Sequence, residues 1–146
     1  MKLRLPFLCT ICLVCFTATT FAADLTWPQW RGPDRTDVSQ EKGLLQEWPE
    51  AGPKLLWTFE DAGIGYSSFA VVGERLYTMG SRDKTEQVIC LNASSGQEIW
   101  AADIGEELED GRGGGPRGTP AVDGDRIYAM GGQGTLVCVD ATNGKV

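Results

Sequence analysis

The sequence contains no histidine, and most of its cysteine residues lie outside any candidate site. The absence of histidine excludes Ser–His and Cys–His catalysis, histidine zinc sites and a histidine pH switch. Three of the five cysteines, Cys9, Cys12 and Cys15, have the spacing of a metal-binding motif, but they lie in an apolar N-terminal run. We therefore do not interpret them as metal ligands. Basic residues are also scarce, 13 against 20 acidic ones, which argues against a nucleic-acid partner.

The chain also lacks an apolar run of the roughly 20 residues that a membrane-spanning helix needs. Its longest run, residues 5–16, follows Lys2 and Arg4 and precedes small residues that end at Ala22. This order is typical of a secretory signal peptide, with a retained membrane anchor as the alternative. We therefore predict a signal peptide at residues 1–22, an exported product in the periplasm or outside the cell, and no transmembrane segment in the mature chain.

What the sequence does contain is a repeat rich in glycine. Residues 70–80 align with residues 121–131, with seven of 11 positions identical, and residues 88–96 align with residues 136–144. The segment that ends at Trp57 resembles the one that ends at Trp100, 43 residues later. Repeats of about 40–50 residues built from short strands are typical of β-propellers.

The local pattern predicts four antiparallel strands in each copy. Short β-branched and aromatic runs occupy residues 67–72, 75–80, 86–91 and 97–101, and no window has a sustained helical period. Gly73-Glu74 and Asp123-Gly124 predict hairpin turns. The predicted fold is therefore all-β: a partial propeller of about two blades plus an N-terminal strand. We divide the chain into residues 1–22, an N-terminal extension at 23–53 and repeats at 54–146.

Equivalent positions in the copies carry the same unusual residues. Trp57 and Trp100 each come near the start of a fourth strand, where an indole can pack between neighbouring blades; ordinary core tryptophans of a sandwich are the alternative. Cys90 and Cys138 share a third-strand position. We expect both to be small buried hydrophobic residues, with a disulfide between them as the alternative.

These segments resemble a known family. Residues 91–100, LNASSGQEIW, and residues 139–146, VDATNGKV, resemble the tryptophan-docking motif of pyrroloquinoline-quinone (PQQ) β-propeller repeats. The stretch WPQWRGP at residues 27–33 resembles the start of bacterial secreted PQQ-like repeat proteins, of the BamB-like and polyvinyl-alcohol-dehydrogenase-like kinds. The resemblance implies that Trp57, Trp100, Gly96 and Gly144 are structural residues of blade docking. Because Val146 lies inside the motif, we expect the chain to be an N-terminal fragment.

One segment is longer in the second copy. Residues 106–118 form an insertion between repeats, acidic at first and then containing Arg112 and Arg117. These arginines are candidate ligand contacts at the propeller rim, and a solvated charged loop is the alternative. The insertion includes a G-x-G-x-x-G pattern from Gly113 to Gly118, but no helix follows it, so we interpret it as a loop.

Three interpretations remain open at this point, and the third is that the chain as given is a truncated product with no independent function. The first is a non-enzymatic binding or scaffold module, similar to the outer-membrane assembly scaffold, with a protein or polymer ligand on a propeller face. The second is a quinoprotein alcohol dehydrogenase, for which the resemblance implies PQQ, calcium and an aspartate base. No residue here matches that base and no adjacent cysteine pair is present, so we assign no catalytic, cofactor-binding or metal residue. The scaffold interpretation is favoured because repeat similarity concerns the fold.

Overall fold

A computed structural model describes residues 26–146, and the predicted signal peptide lies outside them. All regular secondary structure in this range is β-strand. The strands are β1 (Thr26–Trp27), β2 (Ala70–Val72), β3 (Arg75–Arg82), β4 (Thr85–Asn92), β5 (Glu98–Glu106), β6 (Ala121–Asp123), β7 (Arg126–Met130) and β8 (Leu136–Asp140). The all-β prediction is confirmed, and none of the described residues forms a helix that could cross a bilayer.

The first sheet has the order β1-β2-β3-β4-β5, and all its pairs are antiparallel. Strands β2 to β5 are the four strands predicted for one repeat. Val72 pairs with Arg75 across the predicted Gly73-Glu74 turn. Strand β1 adds two residues beside β2, but the prediction of a fourth strand near Trp57 was wrong, since residues 54–63 form no strand.

Several predicted strand boundaries were wrong. The hairpin between β3 and β4 is longer than expected because Asp83 and Lys84 both take positive φ, 48° and 65°, and make a two-residue turn without glycine. Strand β5 continues five residues past the predicted end at Ala101, with Ala102 and Ile104 buried on alternate positions. Strand β2 begins only at Ala70, since the chain before it is irregular.

The second sheet has the order β6-β7-β8 and is also antiparallel. Its first turn lies one residue later than predicted, at Gly124-Asp125, because Asp123 still pairs with Arg126. This turn is equivalent to Gly73-Glu74 in the first sheet. The described part of the second repeat therefore has three of the four expected strands.

The two sheets pack face to face around one core. The cluster joins six buried residues of the first sheet to four of the second: Tyr77, Met79, Val88, Cys90, Ala102, Ile104, Ile127, Ala129, Val139 and Ala141. Cys90 is fully buried as expected, but the prediction for Cys138 was wrong, since its side chain is exposed on the edge strand β8. Both are free thiols.

The N-terminal segment links the inner edges of both sheets. Strand β1 pairs with β2, and the next residue, Pro28, accepts a hydrogen bond from Val122 N of β6 at 2.8 Å. Just before β2, Ile64 and Ser81 exchange two backbone hydrogen bonds beside β3. These contacts satisfy backbone groups of strands that would otherwise be open edges.

Candidate functional site

The two sheets share one end that carries their longest connections. The turn at Asp83-Lys84, the insertion loop (residues 107–118) and the β7–β8 turn meet there, and we call this end the loop face. Glu107 N donates to the carbonyl of Lys84 at 2.9 Å, and Gln133 Nε2 donates to the carbonyl of Glu107 at 3.1 Å. The opposite end, which carries the turns at residues 73–74, 92–97 and 124–125, is the turn face. Loops supported by a rigid sheet are where binding residues usually lie.

A buried carboxylate fixes the insertion loop to both sheets. Glu86 of β4 is only 1% exposed, and it accepts hydrogen bonds from Leu108 N at 3.0 Å and from Gly132 N at 2.7 Å. The glycines of the β7–β8 turn allow this approach, since a Cβ on Gly131 would lie 2.8 Å from Glu86 Oε2. One carboxylate oxygen of Glu86 therefore holds the insertion loop, and the other holds the β7–β8 turn. Sequence analysis missed Glu86, and the only available signal was a charged residue in a third strand that is otherwise largely apolar.

A second polar network lies beside it. Ser81 Oγ donates to Glu107 Oε2 at 2.6 Å, and Lys84 Nζ lies 3.2 Å from Glu107 Oε1 and 3.0 Å from Glu109 Oε1. The Ser81 hydrogen bond, with a smaller contribution from Lys84, lowers the pKa of Glu107. Lys84, Glu107 and Glu109 border an open groove of about 890 Å³. The groove is acidic, and two of its lining carboxylates, Glu107 and Glu109, are paired with Lys84.

A third feature of the loop face is a pocket to which residues 26–146 contribute no carboxylate. It has a volume of about 460 Å³ and is lined by Trp30, Tyr66, Ser68, Arg117, Gly118 and Thr119. The guanidinium of Arg117 lies over the Tyr66 ring, 4.7 Å from its centroid. Arg117 Nη2 donates to the carbonyl of Gly113 at 2.6 Å, and within residues 26–146 the structure records no ion pair for Arg117. We call this site the aromatic pocket.

The sequence WPQWRGP explains how Trp30 is held at this pocket. Gly32 has φ of +75° and its N–H donates to the carbonyl of Gln29 at 3.0 Å, which closes a tight turn. The Trp27 ring packs where a Cβ of Gly32 would be, so glycine is required there. Arg31 then pairs with Asp37, Nη2 to Oδ2 at 2.8 Å. Trp30 itself remains 67% exposed.

The two predicted rim arginines differ in their surroundings. Arg117 lines the aromatic pocket, whereas Arg112 contributes only its backbone carbonyl, which accepts a hydrogen bond from the Tyr66 hydroxyl at 3.0 Å. The side chain of Arg112 is exposed and makes no recorded hydrogen bond or ion pair with residues 26–146. The G-x-G-x-x-G stretch is a loop, as interpreted from the sequence.

The structure brings each predicted docking tryptophan against the predicted glycine of the following repeat. The Trp57 ring packs on Gly96, and its Nε1 donates to the carbonyl of Ala93 at 3.1 Å. The Trp100 ring packs on Gly144, where a Cβ would lie 2.8 Å from Cδ2. The second contact lacks the indole hydrogen bond: the carbonyl of Ala141 accepts from Arg75 Nη1 instead.

The described residues do not fit a calcium-held quinone. No group of three or more histidine, cysteine, aspartate or glutamate side chains in residues 26–146 is arranged to hold a metal ion. The buried carboxylate of Glu86 has both oxygens hydrogen-bonded to backbone N–H groups.

The comparisons with known proteins identify the repeat. The model of the family described as outer membrane protein assembly factor BamB, a PQQ-repeat family, matches residues 38–146. Neither the curated proteins nor the solved structures include a significant match. The match covers most of the chain and agrees with its two antiparallel sheets, so the sheets are blades of a partial β-propeller. The chain belongs to the BamB family of PQQ-repeat proteins.

Proposed function

We propose that this chain is an exported binding module whose loop face holds a protein or polymer ligand. The observation that carries the proposal is the insertion loop, which Glu86 anchors to both sheets and which presents Arg117 beside two exposed aromatic rings. A loop held in one conformation loses little entropy when a ligand binds. Export is proposed from the N-terminal sequence pattern, and the family match supports a protein-interaction module.

We also propose that the tryptophan–glycine contacts dock neighbouring repeats. In this role Trp57 with Gly96, and Trp100 with Gly144, keep the sheets in register and give the loop face a fixed shape. A bulky ring against a backbone that lacks Cβ buries a large apolar area at a defined position. The docking residues therefore support binding without contacting the ligand.

Site-specific photocrosslinking in the native host tests the binding face. A photoreactive residue replaces Glu109, which is exposed on the loop face, or Glu74, which is exposed on the turn face as the matched control. We expect crosslinks to a macromolecule from position 109 and none from position 74. Equal crosslinking from both positions, or none from position 109, would refute the proposal.

A spectroscopic assay separates this function from that of a quinoprotein dehydrogenase. We expect the purified protein to show no quinone absorbance and no dye-linked alcohol oxidation after incubation with PQQ and calcium. Stoichiometric PQQ binding with calcium-dependent oxidation would refute the scaffold function, whatever the crosslinking result.

A further inference from the structure

We propose that the aromatic pocket binds a uronic acid unit of an acidic polysaccharide. The proposal rests on the proposed function, because it names the ligand class of the loop face. The pocket volume of about 460 Å³ lies within the range of about 300–1,000 Å³ usual for small-ligand sites. Its lining combines two aromatic rings, one cation and two hydroxyl groups, which together select a ring that bears both hydroxyls and a carboxylate.

Charge is the first argument for an anionic ligand. The whole chain is acidic, with a formal net charge of −7, yet Arg117 is the only charged residue that the described part of the chain, residues 26–146, contributes to the pocket lining. A guanidinium has five N–H donors, and Arg117 uses two of its nitrogens on the carbonyls of Gly113 and Gly114. The remaining donors can pair with a carboxylate, the group that a guanidinium recognises with two parallel hydrogen bonds.

The position of Arg117 is fixed before a ligand arrives. Its guanidinium is stacked on Tyr66, and Tyr66 is itself held by its hydroxyl bond to the carbonyl of Arg112 and by its N–H bond to Pro116 O at 2.9 Å. A cation positioned in this way loses less side-chain entropy on binding than a mobile surface arginine. This distinguishes Arg117 from Arg112, whose side chain is free of such contacts.

The aromatic rings are the second argument, and they favour a sugar ring. Trp30 is 67% exposed and Tyr66 is 60% exposed, although both are held by backbone turns and hydrogen bonds. The face of an aromatic ring is electronegative, so it attracts the polarised C–H groups on the flat side of a pyranose. The hydroxyl groups of Ser68 and Thr119 are within the same lining and can exchange hydrogen bonds with sugar hydroxyls.

An acidic peptide fits this site less well. One common way to bind an extended peptide is to pair it with an open strand edge. The inner strands next to the pocket are already paired, since β1 covers β2 and Pro28 O accepts from Val122 N. The pocket therefore offers side-chain groups rather than a backbone edge, which suits a saccharide.

Titration calorimetry with the full chain tests the assignment. The probe is trigalacturonate, and the matched ligand is its methyl ester, which keeps the sugar rings but removes the charge. We expect the ester and the Arg117→Gln variant each to bind about tenfold or more weakly, because each loses a charge-assisted hydrogen bond. Arg112→Gln removes the same charge from the same loop outside the pocket and should bind like the wild type.

A tryptophan pair provides the second control. Trp30→Ala should abolish most trigalacturonate binding, whereas Trp48→Ala, at a residue that is 70% exposed outside the pocket, should not change it. Melting curves of all variants report folding, and ligand-induced shifts of the Trp30 indole NMR signal locate binding in the unmodified protein. Unchanged affinity of Arg117→Gln, no binding of trigalacturonate, or tighter binding of triglutamate would each overturn the assignment. Crosslinks from position 109 that persist in that case would show that the loop face binds another ligand.

Discussion

The sharpest test of the loop-face architecture is the substitution Glu86→Gln. The wild-type carboxylate accepts one backbone N–H on each oxygen, from Leu108 and from Gly132. A glutamine amide has only one acceptor oxygen, so its NH₂ group must face one of these two N–H donors. The substitution is nearly isosteric, and its effect therefore reports the hydrogen bonds rather than a change of volume.

The expected loss follows from these two bonds. A hydrogen bond to a charged group contributes about 1.5–3 kcal/mol, and a buried donor left without a partner costs a similar amount. One bond is lost in Glu86→Gln and the other becomes neutral, so we expect the free energy of unfolding to fall by about 2–4 kcal/mol. For a domain of this size that corresponds to a melting temperature lower by about 10 °C.

Urea unfolding and amide hydrogen exchange together provide the assay. Glu106→Gln is the matched control, since it makes the same change of charge at an exposed residue of the same loop face. We expect faster exchange at the amides of Leu108 and Gly132 in Glu86→Gln, and wild-type behaviour in the control. An unfolding curve for Glu86→Gln that matches the wild type, or a loss of stability without faster exchange at those two amides, would refute the reasoning.

Three further outcomes follow from buried contacts. Gly96→Ala should destabilise the fold strongly, because the new Cβ would overlap the ring of Trp57. Gly73→Ala is the control: its Cβ would have open space and its φ is similarly positive, so urea unfolding should show a cost of only about 1 kcal/mol. Trp100→Ala should lower the free energy of unfolding by about 3–5 kcal/mol, and an unchanged melting curve would contradict its packing role. Burial raises the pKa of Cys90 to about 11, so of the two cysteines in residues 26–146 a thiol reagent at pH 8 should modify the exposed Cys138 and not Cys90. Stability should also fall as pH rises from about 9 to 11, because the unfolded thiol ionises first.

The sequence was informative wherever the fold depends on local pattern. The Gly73-Glu74 turn predicted a hairpin correctly, and the short β-branched and aromatic runs of the repeats predicted antiparallel strands. The Asp83-Lys84 turn was missed because lysine, unlike aspartate, is not a residue that turn statistics favour at positive φ. Its geometry depends on the pairing of the strands on either side.

The candidate site was predictable only in part, because its parts are distant in sequence. The insertion and Arg117 could be found by comparing the repeats, but Tyr66 and Trp30 reach the same pocket only through the fold. Glu86 is similar: its two partners are 22 and 46 residues away. A charged residue in a strand does not reveal whether it faces solvent or two backbone donors.

Whether a repeated residue is buried depends on the adjacent sheet and not on the residue type. Tyr77, Met79, Val88 and Cys90 are buried in the first sheet, against the second sheet. Their equivalents Tyr128, Met130, Leu136 and Cys138 are exposed, because they occupy the face of the second sheet that points away from the first. Equal sequences therefore predicted equal burial for the two cysteines, and that prediction failed for Cys138. The repeat specifies which residues can form an interface, and the adjacent sheet determines which of them do.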